Sequence, residues 1–476
     1  MAIRNSNTVA LAALALAVAA CGGDSSGGGS AAVSTGAIRS FGSVHVNGVE
    51  WKVSGATLVL DDGQTQSLST EDSIRAFAPQ GSVVTVKGRR DGATGTATQI
   101  EFKSIIEGPI AANTGAGFTI AGLNVSIDAS TKFFDSAGIE ISYTSLTAGQ
   151  RVEVSGLPES GTSLHASMVR AKTGNQVEFE AKGYVVGLSG SSFGISLVSG
   201  GSAYLNVNAA GATLPSLANG SIVEVKGTSF APGTPGTLTA TLVELEDRLL
   251  GDDNSEAEIE GIIVGFDGAN SFVVAGQPVS LTASTRFVGA ADPNNPRADL
   301  ADGTKVEVEG QLQGGTLVAE QVKYKDAVRI MAPVTTVSGS TFTMLGKSVA
   351  FAASRTRFDG LTAPSIGQAL EIRGYVMIDG TIFAQRVKLE DGGNDRPFLQ
   401  GVVTSKTPTS SLTVLGITVN TDSSTEFHDS SETLLSATNF FNAVTEGQTL
   451  VKAKWDVGTT DTSLPARELE LEGEDD

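Results

Sequence analysis

The chain has 476 residues, with 52 acidic residues against 32 Lys plus Arg and a formal charge of −20, a balance that argues against unaided binding to nucleic acid. With 57 Gly, 18% charged and 6% aromatic residues, the composition suits many short strands and turns better than long helices. A single Cys excludes an intrachain disulfide and a thiolate cluster for zinc or iron–sulfur.

Residues 1–20 carry Arg4 and then an apolar run from Val9 to Ala20, too short to span a bilayer and flanked as a secretory signal peptide is. The run ends Val18, Ala19, Ala20, Cys21, which resembles the lipobox of bacterial lipoproteins. The resemblance implies cleavage before Cys21, acylation of Cys21 and attachment to a lipid bilayer without spanning it. Gly22 stands where lipoproteins kept at the inner membrane typically carry Asp, so the outer membrane is the expected address. Residues 21–35, Gly- and Ser-rich, are expected to form a tether with a reach of about 20 Å.

From residue 36 one small unit repeats. A Gly-flanked strand pattern occurs as GSVVTVKG (Gly81 to Gly88), GQRVEVSG (Gly149 to Gly156), GSIVEVKG (Gly220 to Gly227), GTKVEVEG (Gly303 to Gly310) and GQALEIRG (Gly367 to Gly374), with a degenerate copy from Gly447. Upstream of it lie hairpin patterns such as Phe118/Ile120/Gly122, Phe272/Val274/Gly276 and Phe342/Met344/Gly346. Between the two, four copies carry Thr-any-Phe, at Thr131, Thr285, Thr356 and Thr425, and a final alternating run closes each unit. Every landmark alternates with period two, which places successive side chains on opposite faces of a strand. Val152 and Val154 are therefore expected inward, and Arg151, Glu153 and Ser155 toward water.

With an opening strand added, each unit has about five strands, which fits a small β-barrel of OB or SH3 size. The predicted fold is all-β: a tandem array of about six five-stranded antiparallel barrels after the signal peptide. Their predicted bounds are 36–103, 108–172, 181–248, 259–326, 328–390 and 399–473, with linkers at 249–258 and 391–398. The linkers divide the row into three, two and one, and neighbouring barrels are expected to pack because each is marginal alone. A short helix is expected in the long stretch of the sixth unit, around 428–444.

The GxxVEVxG strand, the FxVxG hairpin, the TxF landmark and the closing AxxV strand together resemble the bacterial repeat named domain of unknown function 5666. The resemblance spans most of the chain from Gly36 to Glu472 and implies a secreted or envelope-anchored repeat protein. It implies no catalytic residue.

Candidate chemistry is sparse. The strand acids Glu153, Glu224, Glu307 and Glu371 sit in separate units on the face expected to meet water, with Thr85 and Val451 in their place in the end units, and so do not form an acid/base pair. The three His, His45, His165 and His428, lie in different units and are expected at surfaces or rims. GSSFG, with Ser192, matches a nucleophile elbow only outside its required strand-to-helix setting. LGKS (Leu345 to Ser348) lacks the leading Gly of a phosphate loop and is expected to be a hairpin turn. The acidic clusters at Asp252, Asp253, Asn254 and Glu256, at Asp391, Asn394 and Asp395, and from Glu468 onward lack the spacing of a calcium loop. No catalytic residue, cofactor or metal site is expected, and lipidation at Cys21 is the one site assigned. The expected function is a lipid-anchored envelope scaffold without catalysis. The alternative is an array that binds an envelope glycan or protein, for which Trp51 and Trp455 are the candidate contacts.

Overall fold

The computed structural model describes residues 30–41, 43–61, 63–113, 117–173, 178–246, 254–290, 295–325, 328–352, 356–377, 379–390, 396–430, 432–447 and 449–472. Cys21 and the signal peptide lie outside these residues. Among the described residues no helix is long and apolar enough to cross a membrane.

The chain is all-β, built of tandem repeats that fold as five-stranded barrels, and the fourth unit shows the plan completely. Its opening strand, Glu256–Val264, pairs with Ser271–Val274, which pairs with Gln277–Val288. That strand lies against the closing strand, Thr316–Tyr324, which pairs with the Gly-flanked strand Lys305–Gln313, and this returns to the opening strand. The ring order is thus 1-2-3-5-4-1, a small Greek-key barrel of the OB kind. Its ladders are antiparallel except between strands three and five. The same parallel ladder recurs in the first, second, third and fifth units. In the sixth a single bond, Ala466 N–H to Asn420 O at 2.8 Å, stands in its place.

The repeated motifs have distinct mechanical duties. The hairpin glycine follows a residue that also has positive φ, as in Ala121/Gly122 (50° and 91°) and Ala275/Gly276 (45° and 82°), the two-residue turn whose twist matches that of the strands. The Gly that ends the repeated pattern lies inside the fourth strand, opposite a bulge in the closing strand: Ser155 pairs Met168 but Gly156 pairs Ala166, and Glu309 pairs Gln321 but Gly310 pairs Ala319. A Cβ at Gly310 would lie 2.1 Å from the Val318 carbonyl oxygen, and one at Gly156 2.2 Å from that of His165, so no side chain fits. The bulge adds the local twist that a five-stranded ring needs to close.

The Thr of each TxF landmark clamps the closing segment, at the bulge itself in the second, fourth and fifth units. Thr131, Thr285, Thr356 and Thr425 donate Oγ1–H to the carbonyls of Ala166, Ala319, Ala384 and Ala466 at 2.6–2.8 Å. The residues after it form a short strand alongside the closing strand, as Lys132–Phe134 does against Met168–Arg170. Val152, Val154, Val306 and Val308 are fully buried, each contributing about 1.5–3 kcal/mol of burial. The expected helix is present at Ala437–Ala443, capped by Ser436 Oγ and packing Phe440 and Phe441 into the core.

The barrels are not beads on a row. The opening strand has a second edge, and three pairs of barrels join through it: first to fourth, where Ser30–Ala37 runs parallel to Glu256–Val264; second to third, where Ile106–Pro109 meets Phe179–Ser189; and fifth to sixth, where Val328–Pro333 meets Phe398–Thr407. The second and third barrels share one apolar core, as do the fifth and sixth.

This corrects the predicted division into three, two and one, because the chain returns to the first barrel after completing three. Residues 30–35, expected in the tether, form most of the first opening strand. Glu256 to Glu258, expected in the linker, begin the fourth opening strand, and Phe398 begins the sixth. Each is a polar or Gly/Ser-rich stretch drawn into a ladder by backbone bonds that its side chains do not advertise. The remainder of both linkers, 249–253 and 391–395, lies outside the described residues.

Candidate functional site

The charged side chains expected in water are buried. Glu153, Glu224, Glu307 and Glu371 are between 1% and 7% exposed. The alternation put them on the outer face correctly, but in this molecule that face is roofed over these acids by basic side chains of the same barrel. Burying a carboxylate is costly unless it is paired, and each of these is paired.

In the second barrel Arg170 Nε donates to Glu153 at 2.8 Å, while Glu107 bonds Arg151 and lies 3.2 Å from Lys172. In the third, Lys182 is flanked by Glu180 at 2.9 Å and Glu224 at 3.7 Å and also bonds Asp61 of the first barrel. Lys226 adds contacts to Glu224 at 2.7 Å and Glu180 at 3.2 Å. Burial, and Glu180 beside it, push Glu224 up to about 7 against the pull of Lys182 and Lys226.

At the seam of the first and fourth barrels, both carboxylate oxygens of Glu260 accept from Arg39 Nη2, and Glu260 lies 2.7 Å from Lys305; Glu307 pairs with Lys325 at 3.1 Å. Glu258 meets Arg90 at 3.1 Å and Ser34 Oγ at 3.2 Å. Burial, with repulsion from Glu307 and Glu309, pushes Glu258 up to about 8. At the seam of the fourth and fifth, Asp299 takes Arg386 at 2.5 Å and Arg373 at 3.1 Å, and Glu371 takes Arg329 at 3.0 Å.

The end barrels vary the theme. Thr85 shares a 2.9 Å hydroxyl bond with Thr35 of the opening strand. In the sixth barrel Lys452, rather than Val451, faces the neighbour at the Glu position, because Val451 and Ala453 point into the core. Its sign is reversed, and so is that of the closing strand: Lys452 opposes Glu470, and Lys454 bonds Glu468 at 2.7 Å. Glu468–Glu472, grouped in sequence with an acidic tail, is this closing strand.

His165, expected at a rim, is 14% exposed at its side chain and ion-paired. Its Nε2 lies 3.0 Å from Asp128 and its Nδ1 3.4 Å from Glu159 and 3.3 Å from Ser126 Oγ, with the ring edge-on to Tyr375 of the fifth barrel. A Ser, a His and an Asp in contact invite comparison with a nucleophilic triad. Burial opposes the charged imidazole, but Asp128 and Glu159 outweigh it and push His165 up to about 9. At neutral pH the ring is an imidazolium, with no lone pair to take a proton from Ser126. The cluster is an ion-pair clamp within the second barrel, with Tyr375 of the fifth resting against its ring.

Sequence reasoning missed the partners of the strand acids, although a signal existed: the closing runs place Arg170, Lys323 and Lys388 opposite Glu153, Glu307 and Glu371. The remaining candidates stay apart. The three His lie in three barrels. Ser192 is exposed at the start of the hairpin strand Ser192–Ser196, and Leu345 and Gly346 are the turn between two strands. Asn254 donates its backbone N–H to Leu312 O and Glu256 accepts from Ser30; Asp252, Asp253, Asp391, Asn394 and Asp395 lie outside the described residues. Trp51 and Trp455, proposed as ligand contacts, are 0% and 1% exposed in barrel cores. Among the described residues no group of three His, Cys, Asp or Glu converges as metal ligands.

No curated protein matches the chain. Among solved structures it is similar to drosophila Unr CSD456, at 13% identity over 44% of this chain and 96% of that one, with a TM-score of 0.11, too low to carry an argument. The family described as Domain of unknown function (DUF5666) matches residues 33–101, 107–170, 260–323, 332–388 and 400–450, which are five of the six barrels. On that match, which covers most of the chain and passes over only the third barrel, the protein is a member of the DUF5666 family.

Proposed function

We propose that the protein is a non-catalytic interaction scaffold of the bacterial envelope, attached to the outer membrane through an acylated Cys21. The observation that supports this reading is the use made of the recurring charged residues. In an enzyme, a repeated acid or base is kept available to substrate; here Glu153, Glu224, Glu307 and Glu371 are spent in ion pairs within their own barrels, while Asp61, Glu260 and Asp299 are spent in pairs that hold barrel to barrel. The signal run, the cysteine at its end and the Gly at position 22 support the address.

Labelling of growing cells with a fatty-acid analogue, followed by membrane fractionation, tests anchorage. The wild type is expected to carry the label and float with outer membranes, and Cys21→Ala to lose both. Crosslinking in intact cells then tests the scaffold role, which requires a stoichiometric partner. Turnover of any substrate by the purified protein, abolished by His165→Gln or Ser192→Ala, would replace the scaffold with an enzyme.

A further inference from the structure

In five barrels the outer edge of the closing strand is covered by a short parallel strand. Thr57–Val59 pairs Gln99–Glu101 in the first, Lys132–Phe134 pairs Met168–Arg170 in the second, and Arg286–Val288 pairs Gln321–Lys323 in the fourth. Arg357–Asp359 pairs Arg386–Lys388 in the fifth, and Glu426–His428 pairs Glu468–Glu470 in the sixth. The middle residue of each cover is Leu or Phe, turned toward the barrel.

The third barrel has no such cover among the described residues. Its closing segment Leu242–Leu245 pairs only with Ile222–Gly227. The reason is one residue. The first barrel reads Gly55-Ala56-Thr57-Leu58-Val59 and the third reads Gly211-Ala212-Thr213-Leu214-Pro215. Pro lacks the backbone N–H that a ladder uses, and residues 211–220 are irregular, with Leu214 and Leu217 packed on the core. The uncovered edge carries Leu242 at 37% and Leu245 at 51% exposure on either side of exposed Glu244. An open edge flanked by leucines is a template for strand addition.

We propose that the edge Leu242–Leu245 docks an extended segment of a partner protein, added as a parallel strand. The sister barrels define its chemistry. In their register the central Phe lies opposite Val169, Val322 or Val387, whose counterpart is Val243. The next residue lies opposite a charged one, as Asp359 does opposite Lys388, and its counterpart here is Glu244. The occupant therefore presents a Phe followed by Lys or Arg, with the Phe filling the place taken in other barrels by the cover strand.

The inference deepens the scaffold reading by giving the scaffold a partner class, and it rests on that reading. The two fail separately, because fractionation of Cys21→Ala tests anchorage without touching this edge.

The probe is a labelled peptide, Gly-Ser-Thr-Phe-Lys-Thr-Gly, titrated into the full mature protein and followed by fluorescence anisotropy. Saturable binding below about 1 mM is expected, weakened at least tenfold by N-methylation of the peptide at Lys, which removes the donor to the Val243 carbonyl. Glu244→Lys, on an exposed side chain, is expected to weaken binding about tenfold and to favour the peptide with Glu in place of Lys. Absence of saturation, or binding indifferent to both N-methylation and Glu244→Lys, overturns the proposal. A concentration-dependent doubling of mass that Leu245→Lys abolishes would give the edge to a second copy of this chain and overturn it equally.

Discussion

Arg39 of the first barrel and Glu260 of the fourth are 221 residues apart in sequence and joined by two hydrogen bonds of 2.8 and 2.9 Å. The carboxylate is 2% exposed, and Arg39 and Lys305 together hold it well below the usual carboxylate range in spite of its burial. Removing one partner of a buried pair costs about 3–5 kcal/mol. Because Lys305 remains and Arg39 is 43% exposed, Arg39→Ala is expected to cost about 2 kcal/mol, read as a lower calorimetric Tm. The triple variant Arg39→Met, Glu260→Leu, Lys305→Met, which leaves no charge of the cluster orphaned, should recover most of that loss. A triple variant worse than the single would show that the ion cluster does more than satisfy its own charges.

Stability should fall as pH rises from 5 to 8. Glu224 and Glu258 are held up to about 7 and about 8 against 4.5 when unfolded, so in this window the folded state binds more protons than the unfolded one. Carboxylates held below 4.5, such as Glu260 and Glu371, contribute stability that is already complete at pH 5 and is lost only at lower pH. Urea midpoints are expected to drop steadily between pH 5 and 8 and to drop less in Glu258→Gln. A midpoint that rises across the window would contradict the assignment.

His165 extends the same trend to higher pH. Its folded value of about 9 lies above the unfolded 6.5, so its contribution is complete below 6.5 and is lost as pH rises through 9. In NMR its ring signals should titrate near 9, and Asp128→Asn should bring that value down. Titration near 6.5 in the wild type would remove the ion-pair clamp from the second barrel.

The bulge glycines should tolerate nothing larger. Gly310→Ala places a methyl against the Val318 backbone, an overpacking that side-chain rotation cannot relieve, at a cost of about 3 kcal/mol. Gly92, in an exposed turn with nothing within 4 Å, is the control: there alanine meets only the backbone strain of a positive φ, about 1 kcal/mol. Equal losses of Tm at the two positions would remove the steric argument.

Deleting the fourth barrel with its whole opening strand, residues 254–326, should destabilise the first, because Ser30–Ala37 loses its parallel neighbour and Arg39 loses Glu260. Limited proteolysis is expected to cut the first barrel in the deletion variant and spare it in the intact chain. Protection in both would restore the picture of independent beads.

Much of each barrel was legible in sequence. The inward Val152 and Val154, the hairpin at Gly122 and the helix near Phe440 follow from local periodicity and turn chemistry, which act over a few residues. The surroundings of Glu153 were not legible, since period two assigns a face without saying what covers it. The sixth barrel's register was misread by one residue, at Val451, because its Gly-flanked pattern is degenerate and only pairing with Gln400 and Glu470 places Lys452 outward.

The sequence by itself determined the unit: its strands, its turns, the glycine at the bulge and the repetition that makes the chain all-β. It determined them because backbone conformation answers to side chains within a few positions. Only the tertiary structure decided that Ser30–Ala37 lies beside Glu256–Val264, and that Glu260 and Asp299 meet Arg39 and Arg386 of neighbouring barrels. Those outcomes depend on which closed barrel meets which, a choice made by charge pairing and shared cores between segments up to more than two hundred residues apart, where no local pattern reaches.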